Sequence, residues 1–286
     1  MSLDQFANQS AFKSLPQEWR DWISLNLARG CEVKGMIDVM VRDGSFASDD
    51  AAAAVAEAAG QATYPKRQES SIPDVDTGSN SIRTSDQVVD ILMQSASPRI
   101  VLLGNVLRAE ECAELMALCA NRFERSPVVD EVSGSARVDE SRTSAGAMLE
   151  RGETPTVARI ERRLSEIVRW PIEFGEGMQL QQYCHGNEYR SHFDWFEPNS
   201  VGAKKHLCRG GQRLATFVLY LSEVESGGGT SFPRLGLEVF PKSGSALFFQ
   251  NTDVDHVPDE RTLHAGSPVV RGIKVIANKW LRAERY

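Results

Sequence analysis

The chain has no long apolar run. No window approaches the roughly 18 uncharged apolar residues that a membrane-spanning helix needs, so no span is expected. Basic residues are not in excess either. Lys and Arg number 32 against 39 Asp and Glu, a net charge of −7, which argues against general nucleic-acid binding. Cysteine is sparse: Cys31, Cys112, Cys119, Cys184 and Cys208 are odd in number and lack the spacing of a zinc site. Cys112 and Cys119 read as buried free thiols on a helix. The start, Met1-Ser2-Leu3-Asp4-Gln5, has neither the basic residues nor the apolar core of a secretory leader. A reducing, cytoplasmic location is the expectation. Histidine is scarce as well, at five residues (185, 192, 206, 256, 264), so any pairing of histidine with a carboxylate is informative.

One such pairing stands in Tyr189-Arg190-Ser191-His192-Phe193-Asp194-Trp195-Phe196. Residues i and i+2 of a strand point to the same face, so on a strand His192 and Asp194 project side by side. His264, brought in from a distant strand, completes two imidazoles and one carboxylate. That set holds one face of an octahedron and leaves the opposite positions open, as in non-haem Fe(II) oxygenases. Ten residues on, Lys274 lies inside the apolar run Ile273-Lys274-Val275-Ile276-Ala277. A lysine there is costly to bury unless paired. It suits a cosubstrate with a remote carboxylate; the plainer alternative is an edge-strand lysine whose head reaches water. His185 and His256 are read as non-ligands.

The 286 residues suffice for one large domain and a small one. Residues 12–60 read as a helical module. Leu15, Trp19, Trp22, Ile23, Asn26 and Leu27 form one helical stripe, with Pro16 in its first turn and Gly30 as its stop. Val33, Met36, Ile37, Met40 and Val41 form a second, ended by Gly44. Ser48 is placed as the cap of an alanine-rich third helix closed by Gly60. Residues 61–82 lose periodicity and read as a linker. The expected division is therefore 1–60, a linker over 61–85, and a catalytic domain over 86–286. In that domain Arg99 to Leu103 reads as a strand. Arg108 to Asn121 and Thr154 to Trp170 read as helices, the second capped by Thr154 with Pro155 at its first position. Short strands follow at 178–184, 189–194, 214–221, 237–240, 245–249 and 272–282, a spacing that predicts a β-sandwich or barrel.

From about Ile100 to Trp280 the chain resembles the prolyl 4-hydroxylase branch of the 2-oxoglutarate- and Fe(II)-dependent dioxygenases. The matching stretches keep the family's order: Arg142-Thr143-Ser144-Ala145-Gly146; Leu180 to Tyr183 with Tyr189 to Phe196; Gly210 to Thr216; Tyr220 to Glu225; Gly227-Gly228-Gly229-Thr230-Ser231-Phe232-Pro233; Pro241 to Leu247; and His264-Ala265-Gly266-Ser267-Pro268 with Lys274 and Asn278-Lys279-Trp280. The first 95 or so residues lie outside the resemblance. It implies an α+β fold, a double-stranded β-helix (jelly roll) core braced by helices, with the small N-terminal helical module beside it.

The resemblance also implies roles. His192, Asp194 and His264 would bind Fe(II). Lys274, with the hydroxyls of Tyr183 and Thr230, would hold the far carboxylate of 2-oxoglutarate. Arg142, Ser144, Glu176, Tyr189, Arg213 and Trp280 would surround a peptide groove. Arg142, with Arg137 nearby, falls in a Ser/Gly-rich stretch that reads as a mobile loop. Tyr189 and Trp280 would suit a proline ring. Cosubstrates would be 2-oxoglutarate and O2, with ascorbate as reductant and succinate and CO2 as products. The expected reaction is hydroxylation of an unactivated C–H bond, first of all C4 of a prolyl residue in a peptide or protein. Two rivals stand beside it: hydroxylation of a free amino acid or small metabolite, and a slow-turnover oxygen-sensing protein that uses the helical module to recruit partners. An open groove favours a peptide; a closed pocket favours a small molecule. Two departures from the family bear on the substrate. Glu197 to Gly210 is a basic loop with Lys204, Lys205, His206 and Arg209, read either as a substrate contact or, by default, as solvated. Arg282 stands where members that bind proline-rich peptides can carry histidine.

Overall fold

Alternation along a few strands sets the architecture. In Arg213–Tyr220, Ala215, Phe217 and Leu219 join one hydrophobic core, while Val218 and Tyr220 join another. In Lys274–Arg282, Val275, Ala277 and Leu281 face the first core and Ile276 the second. Period-two side chains on a strand buried on both faces give this split. The computed structural model describes residues 10–29, 31–61, 71–125, 127–129, 136–139 and 141–286. Gly30 and residues 62–70 lie outside the described residues.

These two strands sit inside a nine-stranded antiparallel sheet. Its order is Ser81–Arg83, Val88–Ala96, Arg99–Gly104, Ala246–Gln250, Arg213–Tyr220, Lys274–Arg282, Gly175–Tyr183, Ala145–Leu149 and Glu124–Arg125. Against its second face packs a four-stranded sheet ordered Leu237–Val239, Thr230–Phe232, His264–Gly266 and Tyr189–His192. Phe232 and Val239 from the small sheet meet Val218, Tyr220, Leu247, Phe249 and Ile276 from the large one. This is the jelly-roll sandwich expected from the sequence.

Helices cover the other face of the large sheet. Pro155–Val168 begins where expected: Thr154 accepts a hydrogen bond from Val157 N at 3.2 Å, and Pro155 occupies the first turn. Val157, Ile160, Leu164, Ile167 and Val168 form its buried stripe. Beside it runs Ala109–Cys119, with Cys112 and Cys119 buried as free thiols. A buried ionic knot joins the two: Arg163 donates to Glu111 at 2.8 Å and to Asp86 at 2.5 Å. Burial works against the Glu111 charge, yet the Arg163 contact holds its pKa down at about 2.

The chain divides into two compact units, Met1–Ser70 with Thr77–Ser79, and Ser71–Asp76 with Asn80–Tyr286. In the first, helices Gln17–Ala28, Val33–Asp43 and Ser48–Gln61 enclose Ile23, Met36, Met40, Ala51, Ala54, Val55 and Ala58. The alanines allow the close helix approach their run implied. Ser48 is the first helical residue rather than its cap, and Gly60 lies within the helix. In the second unit the expected linker is too long. Ile72 and Val75 are buried, Arg99 donates to Asp74 at 2.8 Å, and Ser81–Arg83 is a strand paired with Val88–Asp90. Residues 71–76 and 80–85 thus belong to the catalytic unit. Two short apolar side chains in a polar stretch have no periodicity to announce them.

Candidate metal centre and cosubstrate pocket

The small sheet brings the metal candidates together. Strand His264–Gly266 pairs with Tyr189–His192 so that His264 lies opposite His192. Their rings are 4.3 Å apart between centroids. Asp194 is not on the strand as the sequence pattern implied. The strand ends at His192 and Asp194 sits in the bend that follows. The bend still aims its carboxylate inward: Oδ1 is 3.8 Å from His192 Nε2, and Oδ2 is 3.7 Å from His264 Nε2. One ligand atom from each residue lies within 4.8 Å of the others, the one such cluster of His, Cys, Asp or Glu among the described residues.

Backbone carbonyls fix both imidazoles. His192 Nδ1 lies 2.9 Å from Arg190 O, and His264 Nδ1 lies 3.0 Å from Thr262 O. A carbonyl only accepts, so Nδ1 carries the proton and Nε2 keeps its lone pair toward the site. Burial and the neighbouring His264 push the His192 pKa well down, which keeps the ring neutral. Asp194 is buried, which opposes its charge; His264 and His192 nonetheless hold its pKa below the usual range. Its Oδ2 accepts from Thr216 Oγ1 at 2.8 Å, and Thr216 accepts in turn from Asn251 Nδ2 at 3.0 Å. Two neutral imidazoles and one oriented carboxylate on one side of a cavity fit Fe(II), with room left for other ligands.

The cavity reaches from this triad to Lys274. Lys274 pairs across the sheet with Tyr183 and is 1% exposed. Its ammonium lies 3.4 Å from Gly229 O and 5.2 Å from the Tyr183 ring. Among the described residues no carboxylate is within ion-pair distance. Burial lowers its pKa to about 8, against a partial opposing pull from Glu238. Tyr183, whose pKa burial pushes up to about 12, donates to Gln181 Oε1. Thr230 is placed by the turn before it. Gly227 and Gly228 have φ of 74° and 68°, and a Cβ on Gly227 would lie 2.4 Å from Pro268 O. Tyr220 Oη donates to Thr230 Oγ1 at 2.9 Å, which leaves the threonine hydroxyl hydrogen available. Asn278 lines the same cavity, and its buried amide oxygen has no hydrogen-bond partner. One unpaired cation and several hydroxyls fit a buried dicarboxylate.

The residues expected around a substrate groove fall in two clusters. Arg142 forms a bridge with Tyr189, donates to Gln179 Oε1 at 2.8 Å and to Ser144 Oγ at 3.3 Å, and lies 4.8 Å from the Tyr189 ring. It is 6% exposed, so the expected mobile loop is, at Arg142 itself, a packed segment. Arg137 lies in strand Ala136–Val138, and its side chain is outside the described residues. Tyr189 stacks on His192 with centroids 3.6 Å apart. In the second cluster Arg213 makes two bonds to Glu176, at 2.6 and 3.0 Å, and lies 3.9 Å over the Trp280 ring. His185 and His256 lie outside the cluster of ligand atoms.

Sequence reasoning missed Thr216, Tyr220, Gln181 and Asn251. The first two share the even-numbered face with Val218, and that register was the available signal. Arg282 changes meaning. It is buried, bonds Glu176 at 2.9 Å, and donates to the carbonyls of His206, Arg209 and Gly211. It is the anchor of the basic segment, which contains a helix, Val201–Leu207.

Comparison with known proteins agrees with this chemistry. Residues 178–282 match the 2OG-Fe(II) oxygenase superfamily, a span that contains the triad and Lys274. Prolyl 4-hydroxylase 2 of Arabidopsis thaliana is 36% identical over 213 residues, 67% of this chain and 70% of that one. Prolyl 4-hydroxylase subunit alpha-1 of Gallus gallus is 35% identical over 184 residues, 64% of this chain and 36% of that one. The viral collagen prolyl hydroxylase of Paramecium Bursaria Chlorella virus-1, solved with 2OG, is 28% identical with a TM-score of 0.51, covering 64% of this chain and 95% of that one. With its two histidines and one aspartate converging on a pocket that ends in an unpaired lysine, the chain belongs to the prolyl 4-hydroxylase family of the 2-oxoglutarate- and Fe(II)-dependent dioxygenases.

Proposed function

We propose that the chain hydroxylates C4 of a prolyl residue in a peptide or protein, converting 2-oxoglutarate and O2 to succinate and CO2. The observation that carries this reading is its 36% identity to a prolyl 4-hydroxylase over 213 residues. The mouth of the site is consistent with it. The His192 side chain is 19% exposed while those of Asp194 and His264 are each 7% exposed, so the metal position opens toward His192 and the Tyr189 ring stacked on it. An opening on that side favours a chain-like substrate over an enclosed metabolite. Ascorbate as reductant belongs to the same proposal.

In this reading His192, Asp194 and His264 hold Fe(II), which when bound with 2-oxoglutarate supplies the oxidising power for C–H cleavage. The protein does the positioning. Lys274 neutralises the far carboxylate, and Tyr183 and Thr230 donate hydrogen bonds to it. Thr216 and Asn251 hold the Asp194 oxygen in place. Tyr189 and Trp280 present apolar faces to the proline ring, while Arg142, Ser144, Glu176 and Arg213 hold those rings and line the approach. The test is mass spectrometry of proline-containing peptides incubated with enzyme, Fe(II) and 2-oxoglutarate. A gain of one oxygen on a prolyl residue, matched by succinate, is expected. Oxygen incorporation into a free amino acid but into no peptide would overturn the substrate assignment.

A further inference from the structure

Beside the iron site lies a second cavity that shares Glu176 and Arg213 with the substrate approach and whose other lining residues the reaction described above does not use. One wall is the basic segment between Asp194 and Gln212. That segment is built rather than loose. Gln212 clamps the Phe196 backbone with bonds of 2.8 and 2.7 Å, and Arg282 gathers three carbonyls from its far end. Phe196 stacks on His206 at 5.1 Å, and Tyr286 lies 4.1 Å from the Arg209 guanidinium.

The charge in this cavity runs against the rest of the molecule. Lys205, Arg209, Arg213 and Arg282 line it with one side-chain carboxylate, Glu176. Glu176 is already taken by both Arg213 and Arg282. Lys205 and Arg209 have no carboxylate within ion-pair distance among the described residues, in a chain of net charge −7. Lys205 and Arg209 are exposed, so their positive charge is solvated and open to an anionic partner. The buried Arg282 Nε has no hydrogen-bond partner either. Arg213 connects the two cavities. Its guanidinium lines this one, stacks on Trp280, and reaches to 3.4 Å from the Asp194 carbonyl.

We propose that this cavity is a carboxylate subsite that receives an Asp or Glu side chain of the peptide whose prolyl residue faces the iron. The inference rests on the peptide reading of the active site. An extended chain advances about 3.3 Å per residue, so the acidic residue would lie a few positions from the proline. Arginine and lysine supply the charge, arginine supplies the forked donors, and Phe196 and Tyr286 flank them.

The experiment uses the full chain and a set of proline peptides carrying Glu at successive positions, each matched to a Gln peptide. For wild type, one Glu register should show a KM up to about fivefold lower than its Gln partner, with kcat equal and the difference shrinking in high salt. The double variant Lys205→Ala, Arg209→Ala changes two exposed side chains. It should raise KM for the Glu peptide to that of the Gln peptide and leave the KM for 2-oxoglutarate unchanged. Equal KM for Glu and Gln peptides at every register overturns the subsite, as does a variant that weakens both alike. If no peptide is oxidised, the prolyl reading fails by itself, and fluorescence anisotropy of the same peptides decides the subsite. Selective binding of a Glu peptide by wild type and not by the variant upholds it. Binding of inorganic phosphate without any Glu preference marks a free-anion site and overturns it.

Discussion

Two lysines of one strand, Lys274 and Lys279, are both buried, at 1% and 2% exposure, yet their surroundings differ. Lys279 points to the helix side and meets Glu161 at 2.5 Å. Lys274 points into the pocket and meets a single carbonyl. Burial depresses both pKa values. A buried charge needs a counterion; for Lys279 the protein supplies it, and for Lys274 the proposed function assigns that part to the cosubstrate. The same contrast separates the two faces of the sheet. The helix face is closed by its own partners, and the pocket face keeps unfinished ones, such as the Asn278 oxygen.

The contrast can be broken or sharpened in five ways, and the largest effect belongs to the metal. Asp194→Ala removes one of three protein ligands, so turnover should drop to background while the thermal unfolding midpoint stays near wild type. Hydroxylation at the wild-type rate with iron present would remove Asp194 from the metal site. Next comes stability on the closed face. Lys279→Ala strands a buried Glu161 carboxylate and should cost about 3–5 kcal/mol in urea unfolding. An unchanged midpoint would show that the two faces are not distinct in the way described.

Lys274→Ala is the mirror experiment. It should leave unfolding stability of the unliganded protein unchanged or raised, and increase the 2-oxoglutarate requirement by about a hundredfold. Superimposable saturation curves would take Lys274 out of the cosubstrate site. Acidity sharpens the point. The Lys274 ammonium is fully charged below its pKa of about 8, and a bound carboxylate raises that value. Affinity for 2-oxoglutarate should therefore be greatest below about pH 8 and fall as pH rises, by up to about tenfold per unit. Titration with 2-oxoglutarate under anaerobic conditions measures it, and a flat profile would contradict the assignment. The smallest effect is expected at Thr216. Thr216→Val removes the bond to Asp194 Oδ2 and should weaken Fe(II) binding by about tenfold, read by metal titration; equal affinities would confine Thr216 to packing.

Legibility varied along the chain for physical reasons. The Thr154-Pro155 helix start was readable because capping is local. The metal triad was readable because histidine is rare and two of its members are two residues apart. Thr216 and Tyr220 were not, since Leu214 to Tyr220 reads as ordinary strand filling, and a hydroxyl gains meaning only from what faces it. The linker was overdrawn for the same reason: Ile72 and Val75 carry no pattern until the sheet buries them. The basic segment does expose Lys204, Lys205 and Arg209 as expected, but the sequence did not show that its backbone is held by Arg282, 71 residues away.

Rare residue types and period-two alternation determined a β-sandwich or barrel with a candidate Fe(II) triad and a lysine in an apolar run, because those signals are local or chemically distinctive; the jelly roll and the cosubstrate came from the resemblance to the prolyl 4-hydroxylase branch. Tertiary structure alone decided that Asp194 reaches the site from a bend, that Lys274 lacks a counterion among the described residues while Lys279 has one, and that Arg213 joins two cavities. Each of these depends on which distant side chain a buried charge meets, and burial is what makes that meeting energetically decisive.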